Sequence, residues 1–171
     1  MSAVAVVVGN PKPNSRTLTV ALAVAERAAE AAGLDPSDPL VVDLADLGSA
    51  LFDWASFDVR RAVSDVSAAR LLVVASPTYK ASYTGLLKSF LDWFSTTGLA
   101  GVTTIPVMVG AGAAHALAVE VHLRPVLVEI GATLPTRGLY VLEEQLGDLD
   151  RYIDAWLQEA AASLRAATGR S

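Results

Sequence analysis

The 171-residue chain contains no cysteine and only two histidines. The lack of cysteine excludes disulfide bonds, thiolate metal sites and cysteine nucleophiles together. No apolar run approaches the roughly 18 to 20 uninterrupted residues that a membrane span requires, and the first residues lack the basic lead of a secretory signal. We therefore expect a soluble, cytoplasmic protein without a metal site.

Positive charge is also scarce. The chain has 13 Lys and Arg against 18 Asp and Glu, a formal net charge of −5, and these charges are scattered. Nucleic-acid-binding proteins need a concentrated basic face, so that class is excluded. Apolar residues are abundant, at 53% of the total. They suffice for one sizeable core, and we expect a single domain over residues 1–171.

Short apolar runs alternate with longer helical segments along the whole sequence, a pattern typical of βαβ units. The predicted strands cover residues 3–8, 40–43, 71–75, 104–109 and 139–142, and the predicted helices 16–32, 58–69, 84–96, 114–130 and 149–167, with an irregular stretch at 46–57. We predict an α/β, flavodoxin-like, doubly wound sheet of five parallel strands in the order 2-1-3-4-5, with helices on both faces.

In such a sheet the loops after the first, third and fourth strands lie together at the carboxyl edge, where ligands bind. The first loop reads GNPKPNSRT over residues 9–17 and leads into a helix, whose free amides favour an anion. Ser15 and Thr17 add hydroxyl donors, while Lys12 and Arg16 add positive charge. The loop fits a phosphate group, and it equally fits a plain helix cap with solvated basic residues.

The second loop lies within SPTYKASYTGLLK, residues 76–88. Pro77 is predicted to end the preceding strand because proline has no backbone donor, and the next helix is predicted to be capped near Ser82. The loop presents Tyr79 and Lys80 at the sheet edge. It can border a planar ring system, or it can be a turn whose aromatic ring packs on the next helix.

The third loop reads GAGAAH over residues 110–115. Its glycines suit a place where the backbone must approach something closely. His115 can meet a cofactor or simply belong to a helix turn, since a lone histidine without a carboxylate partner is weak evidence for catalysis.

Other classes of protein with this architecture need residues that the three loops lack. The first loop has one glycine, Gly9, and so lacks both GxGxxG and the GK[ST] of an NTPase loop. A receiver domain needs an acidic phosphoacceptor where this chain has Ser76, and a low-molecular-weight tyrosine phosphatase needs a cysteine. FMN, with one phosphate and one broad aromatic ring, remains.

Three segments in this order resemble NADPH-dependent FMN reductases of the flavodoxin-like class, and most closely the FMN reductases of two-component alkanesulfonate and methanesulfonate monooxygenase systems. They are GNPKPNSRT at 9–17, SPTYKASYTGLLKSFLD at 76–92 and GAGAAHALAVEVHLRPVL at 110–127. The resemblance implies an NAD(P)H:FMN oxidoreductase that passes reduced FMN to such a monooxygenase. The alternatives are a quinone or azo reductase that keeps FMN bound, and a flavodoxin-like electron carrier without nicotinamide activity.

The resemblance also implies the cofactor contacts. It places the phosphate at Ser15, Arg16 and Thr17 with Asn10 and Lys12 nearby, one border of the isoalloxazine at Pro77, Thr78, Tyr79 and Lys80, and the other at Gly110, Ala111 and Gly112 with His115 close by. It assigns no catalytic side chain, because NADPH or NADH and FMN carry the chemistry themselves.

Members of the sulfonate subgroup carry an inserted aromatic that opens a π-bulge at a subunit interface. By register that position falls on Val121 here, so the aromatic itself is missing. Independently, Pro125 has no amide to give the Val121 carbonyl, which predicts a kink or bulge. The family forms dimers and tetramers, so we expect a homodimer or homotetramer. Five aromatics near the proposed site suit either the core or a subunit contact, namely Trp54, Phe57, Phe90, Trp93 and Phe94.

Overall fold

Five parallel strands form one sheet in the order β2-β1-β3-β4-β5, which confirms the predicted topology. The strands are β1 Val4–Val8, β2 Leu40–Asp43, β3 Leu71–Pro77, β4 Thr103–Gly110 and β5 Leu139–Leu142. This computed structural model describes residues 2–169, so Met1, Arg170 and Ser171 of the predicted domain lie outside the described residues.

Among residues 2–169, six α-helices cover the sheet; the first five lie between strands, and the sixth follows β5. They are α1 Arg16–Ala32, α2 Leu44–Leu47, α3 Phe57–Ser67, α4 Gly85–Leu91, α5 Arg124–Glu129 and α6 Leu149–Thr168. Alternate β1 residues point to opposite faces: Val4, Val6 and Val8 pack with α1 and α6, whereas Ala5 and Val7 belong to the core beneath α3, α4 and α5. Within residues 2–169, no helix has the length and apolar character to cross a bilayer.

α1 has the predicted boundaries because both ends are chemically marked. The Ser15 hydroxyl accepts a hydrogen bond from the Leu18 amide at 3.2 Å, and Gly33 ends the helix in the left-handed region at φ 75°. Valine and alanine fill its buried face. These residues set the start of the helix directly after the first loop.

β3 extends two residues beyond the predicted bound at Ala75 and ends at Pro77 itself. The Thr78 amide donates to Val109 of β4, so the backbone groups of Pro77 face the β1 side. Pairing with β1 already ends at Ala75. The missing proline donor therefore costs the sheet no hydrogen bond.

α4 is shorter than predicted and has a different cap. It begins after Thr84, whose hydroxyl accepts from the Leu87 amide at 3.1 Å, and not near Ser82. It ends at Leu91, where the Trp93 and Phe94 amides turn back to carbonyls three residues earlier.

The predicted continuous helix 114–130 is divided into three pieces. A short 3₁₀ turn, Ala113–His115, is followed by a π-helical segment, Val119–Leu123, and then by α5. The Arg124 amide donates to the Val119 carbonyl, five residues back. The predicted bulge is confirmed, and Val121 lies within it with 57% of its surface exposed.

The five aromatics near the site divide between the core and the surface. Phe90 and Phe94 are buried, and half-buried Trp93 donates from Nε1 to the Leu51 carbonyl at 3.0 Å. Trp54 stacks on Trp93 with ring centroids 4.7 Å apart. Trp54 and Phe57 remain largely exposed, so the predicted subunit contact stays a prediction for these two.

A charged cluster ties the π-helical segment to the strand that follows. The Glu120 carboxylate accepts from the Arg124 guanidinium and from the Gly138 amide, both at 2.5 Å. Arg124 also donates to the Thr136 carbonyl. Burial alone raises the pKa of the Glu120 carboxyl, but these donors outweigh it and hold the pKa below its ordinary value of 4.5.

Glu120→Gln is expected to lower the free energy of unfolding by about 1 kcal/mol at pH 7, because charge-assisted hydrogen bonds are lost. A carboxyl group whose pKa is lower in the folded than in the unfolded protein stabilises the fold at pH values above its unfolded-state pKa. This stabilisation is lost as the pH falls through the folded-state pKa. The difference between the two proteins in denaturant titrations should therefore shrink below about pH 4.5. Glu129→Gln, exposed on α5, is the control, and a difference independent of pH would contradict the assignment.

Candidate functional site

Backbone and hydroxyl hydrogen bonds hold the three loops side by side at the carboxyl edge of the sheet. The Gly9 amide donates to the Ala75 carbonyl at 2.8 Å, and the Thr78 amide to the Val109 carbonyl at 2.7 Å. The Thr84 hydroxyl donates to the Gly9 carbonyl at 2.5 Å. Of the thirteen predicted site residues, Pro77 and Gly110 are the last residues of β3 and β4, and the other eleven lie on these loops or at the start of α1.

Asn10 folds the first loop over the start of α1. Its Nδ2 donates to Thr17 Oγ1 at 3.1 Å, and its Oδ1 accepts from the Lys12 amide at 3.0 Å. Asn10 and Thr17 are buried, whereas the Lys12 side chain is exposed. Asn14 takes a left-handed conformation with φ 53°, which asparagine tolerates better than most residues. Asn10 therefore shapes the loop, while Lys12 is free to move toward a ligand.

The first turn of α1 is an anion site in its chemistry. It contains no acidic residue, and the amides of Arg16 and Thr17 have no acceptor among residues 2–169. Ser15 already accepts from Leu18, and its hydroxyl proton remains available. Free amides, the helix dipole and the Arg16 charge favour the same negatively charged guest.

Glu143 is a site residue that the sequence analysis missed. It follows β5 directly, and its Oε2 lies 3.1 Å from Arg16 Nη1 in an exposed ion pair. Its position after a parallel strand, at the same edge as the three loops, was the available signal. The pair places a carboxylate beside the proposed phosphate position.

The second loop is a tight hairpin that projects from the sheet edge. Tyr79 and Ser82 exchange backbone hydrogen bonds of 2.8 and 3.1 Å, and Lys80 and Ala81 form the turn with φ of 51° and 65°. Successive positive φ values are typical of the turns that match strand twist. The Tyr79 side chain is not packed into the core but 48% exposed, so its ring is available to a planar ligand.

The third loop approaches its neighbours closely at its first glycine. A Cβ on Gly110 would lie 2.0 Å from the Tyr140 hydroxyl oxygen and 3.0 Å from Thr78 Oγ1, so any larger residue would force the Tyr140 side chain to shift. The Tyr140 hydroxyl donates to the Gly112 carbonyl at 3.0 Å. His115 is exposed in the 3₁₀ turn that follows. Tyr140 is a second residue that the sequence analysis missed.

The donor set fits a ligand with a phosphate at one end and a flat polar ring at the other. The α1 amides suit the phosphate, and the hairpin and the glycine turn flank a surface for the ring. Thr78 Oγ1 is buried and has no hydrogen-bond partner within the described part of the chain. Buried hydroxyls are rarely left unpaired, and a polar ring edge would supply the partner. FMN meets these requirements.

A cavity of about 490 Å³ lies elsewhere, near the amino end of β4, and is lined by small uncharged residues that include Thr103, Thr133 and Ser163. Ligands of doubly wound sheets bind at the carboxyl edge, and among residues 2–169 this lining offers neither charge nor an aromatic ring. We assign the functional site to the open surface at the carboxyl edge.

Comparisons with known proteins show the family to which the chain is similar. The model of a family described as NADPH-dependent FMN reductase matches residues 2–147. NADH-dependent FMN reductase SfnF of Pseudomonas putida is 36% identical over 146 residues, which cover 82% of this chain and 77% of that protein.

Two solved structures share the fold over most of their length. An NADH:FMN oxidoreductase called EMOB, in its apo form, has a TM-score of 0.72 at 32% sequence identity. The matched region covers 91% of this chain and 88% of the EMOB chain. An oxidoreductase from Corynebacterium diphtheriae has a TM-score of 0.84 at 26% sequence identity. The matched region covers 100% of this chain and 98% of that protein's chain.

Thr84→Val is expected to destabilise the protein by about 1–3 kcal/mol, because it removes both the cap of α4 and the bond to the Gly9 carbonyl in a buried place. Thr84→Ser keeps the hydroxyl and is the matched control. Urea unfolding measures both variants. Equal stability of the two would show that the hydroxyl does not join the loops.

Proposed function

Because the chain belongs to the NADPH-dependent FMN reductase family and is an oxidoreductase that uses NADPH or NADH with FMN, we propose that it supplies reduced FMN to a flavin-dependent, sulfonate-type monooxygenase. The observation that carries the proposal is the junction of three loops, with an anion-binding helix start at one side and an exposed tyrosine hairpin at the other.

The residues of the three loops have distinct roles in this proposal. The amides of Arg16 and Thr17, the Ser15 hydroxyl and the Arg16 guanidinium hold the phosphate. Tyr79 and the turn at 110–112 border the ring, and Thr78 Oγ1 donates to its polar edge. When bound, FMN supplies the redox chemistry, which requires no acid or base from the protein.

Charge on the three loops favours the binding of a negatively charged ligand. Residues 9–17, 76–88 and 110–115 contain no Asp or Glu but do contain Lys12, Arg16, Lys80 and Lys88. Lys80 stands at the exposed tip of the hairpin and is placed to stabilise negative charge near the ring.

The π-helical segment supports the finer part of the proposal. It lies in the stretch that resembles the sulfonate-system reductases, and Val121 is exposed within it, as are Leu117 just before it and Val128 in α5. Solvent-exposed apolar side chains at a helix irregularity suit a contact between subunits. We propose a homodimer or homotetramer formed through this region.

Steady-state assays with varied FMN and saturating NADPH or NADH test the function. The purified protein is expected to oxidise at least one nicotinamide, with a rate that rises and saturates with FMN. Free FMN should separate from the protein in gel filtration if it is a released substrate. No turnover with either nicotinamide would overturn the enzyme assignment, and retained stoichiometric flavin would favour a quinone or azo reductase.

Glu143→Gln is expected to tighten FMN binding about two- to fivefold, because it frees Arg16 and removes a negative charge beside the phosphate, an effect of the size of a surface ion pair. Riboflavin, which has no phosphate, should bind both proteins equally. Glu144→Gln at the next exposed position is the matched control. Fluorescence titration measures the affinities, and an equal change for FMN and riboflavin would contradict the role of Glu143.

A further inference from the structure

Tyr140 lies beneath the third loop, although it belongs to a strand and to none of the predicted site segments. It is the second residue of β5 and pairs in register with Met108 of β4. Its ring is partly buried among the core residues on one face of the sheet. A strand is a rigid support, so the hydroxyl of Tyr140 is held at a fixed position relative to the carboxyl edge.

The hydroxyl makes two contacts with the loop above it. It donates to the Gly112 carbonyl at 3.0 Å, which is a well-formed hydrogen bond. It also occupies the place of a side chain at Gly110, since a Cβ there would lie 2.0 Å from the hydroxyl oxygen. The hydroxyl thus holds the turn by a hydrogen bond at Gly112 and lies close against the backbone at Gly110.

The same place borders the unpaired hydroxyl of Thr78. Thr78 Oγ1 lies 3.0 Å from the position that a Gly110 Cβ would take, and it has no hydrogen-bond partner among residues 2–169. Tyr140 therefore determines where the 110–112 turn lies relative to the buried, unpaired Thr78 hydroxyl.

We propose that Tyr140 is a positioning residue for flavin binding: its hydroxyl fixes the 110–112 turn against which the ring system rests. The inference rests on the proposed function, because the ligand of the turn is the flavin ring. It assigns Tyr140 to the ring end of the ligand and not to the phosphate end.

Tyr140→Phe removes the hydroxyl and keeps the ring in the core. FMN and riboflavin are both expected to bind about three- to tenfold more weakly, by the same factor, because one hydrogen bond that orders the turn is lost. The visible circular dichroism of protein saturated with FMN should also change, since the ring rests on a looser surface. Tyr152→Phe, at an exposed position of α6, should change neither measurement.

A stability cycle tests the contact without any flavin. Gly110→Ala alone should lower the melting temperature, because its Cβ collides with the Tyr140 hydroxyl. The double variant Gly110→Ala/Tyr140→Phe should recover part of that loss. A merely structural role for Tyr140 would lower the melting temperature of Tyr140→Phe and leave the spectrum of its bound flavin unchanged.

The outcomes distinguish the positioning role of Tyr140 from the proposed function itself. Wild-type affinity of Tyr140→Phe for both flavins would overturn this inference alone, and so would a loss confined to FMN or an absence of recovery in the double variant. Failure of the wild-type protein to bind either flavin would overturn the proposed function and this inference with it.

Discussion

The buried Thr84 hydroxyl is the contact on which the rest of the site depends. It accepts from the Leu87 amide, which starts α4, and donates to the Gly9 carbonyl, where the first loop leaves the sheet. The space between these elements is so small that a Cβ on Gly9 would lie 2.6 Å from Leu87 Cβ. One side chain thus fixes the distance between the loop assigned to the phosphate and the loop assigned to the ring.

In this arrangement a rigid sheet positions the site, and short polar loops supply its binding groups. The three central strands, β1, β3 and β4, are buried on both faces, and the parallel sheet brings the loops to one edge, as this architecture requires. The loops present backbone amides, hydroxyls and a few positive charges. In the proposed function these groups bind the cofactor, and the cofactor carries the electron chemistry.

Much of the fold could be predicted because its signals are local. Ser15 and Gly33 mark the two ends of α1, and β2 and β5 have the predicted bounds. Pro125 predicted the irregular helix between β4 and β5, because a proline, which has no backbone amide hydrogen, can be read directly from the sequence. The extension of β3 through Pro77 could not be predicted, since it depends on which neighbouring strand each backbone group faces.

The site was predictable in its loops but not in the residues that come from β5. Nothing near Tyr140 or Glu143 in the sequence marks a ligand site, because their roles follow from pairing across the sheet. Thr84 was passed over as a cap for a similar reason: Ser82 offers the same hydroxyl, and only the closure of the Tyr79–Ser82 hairpin decides between them.

The central claim is that FMN binds with its phosphate at the start of α1 and its ring between the second and third loops. Amide chemical shifts of ¹⁵N-labelled protein test it directly. The account predicts that FMN shifts the amides of Arg16, Thr17, Tyr79 and Gly112, whereas riboflavin shifts only the last two. Shifts centred on the cavity at Thr103 and Thr133, or none at all, would contradict it.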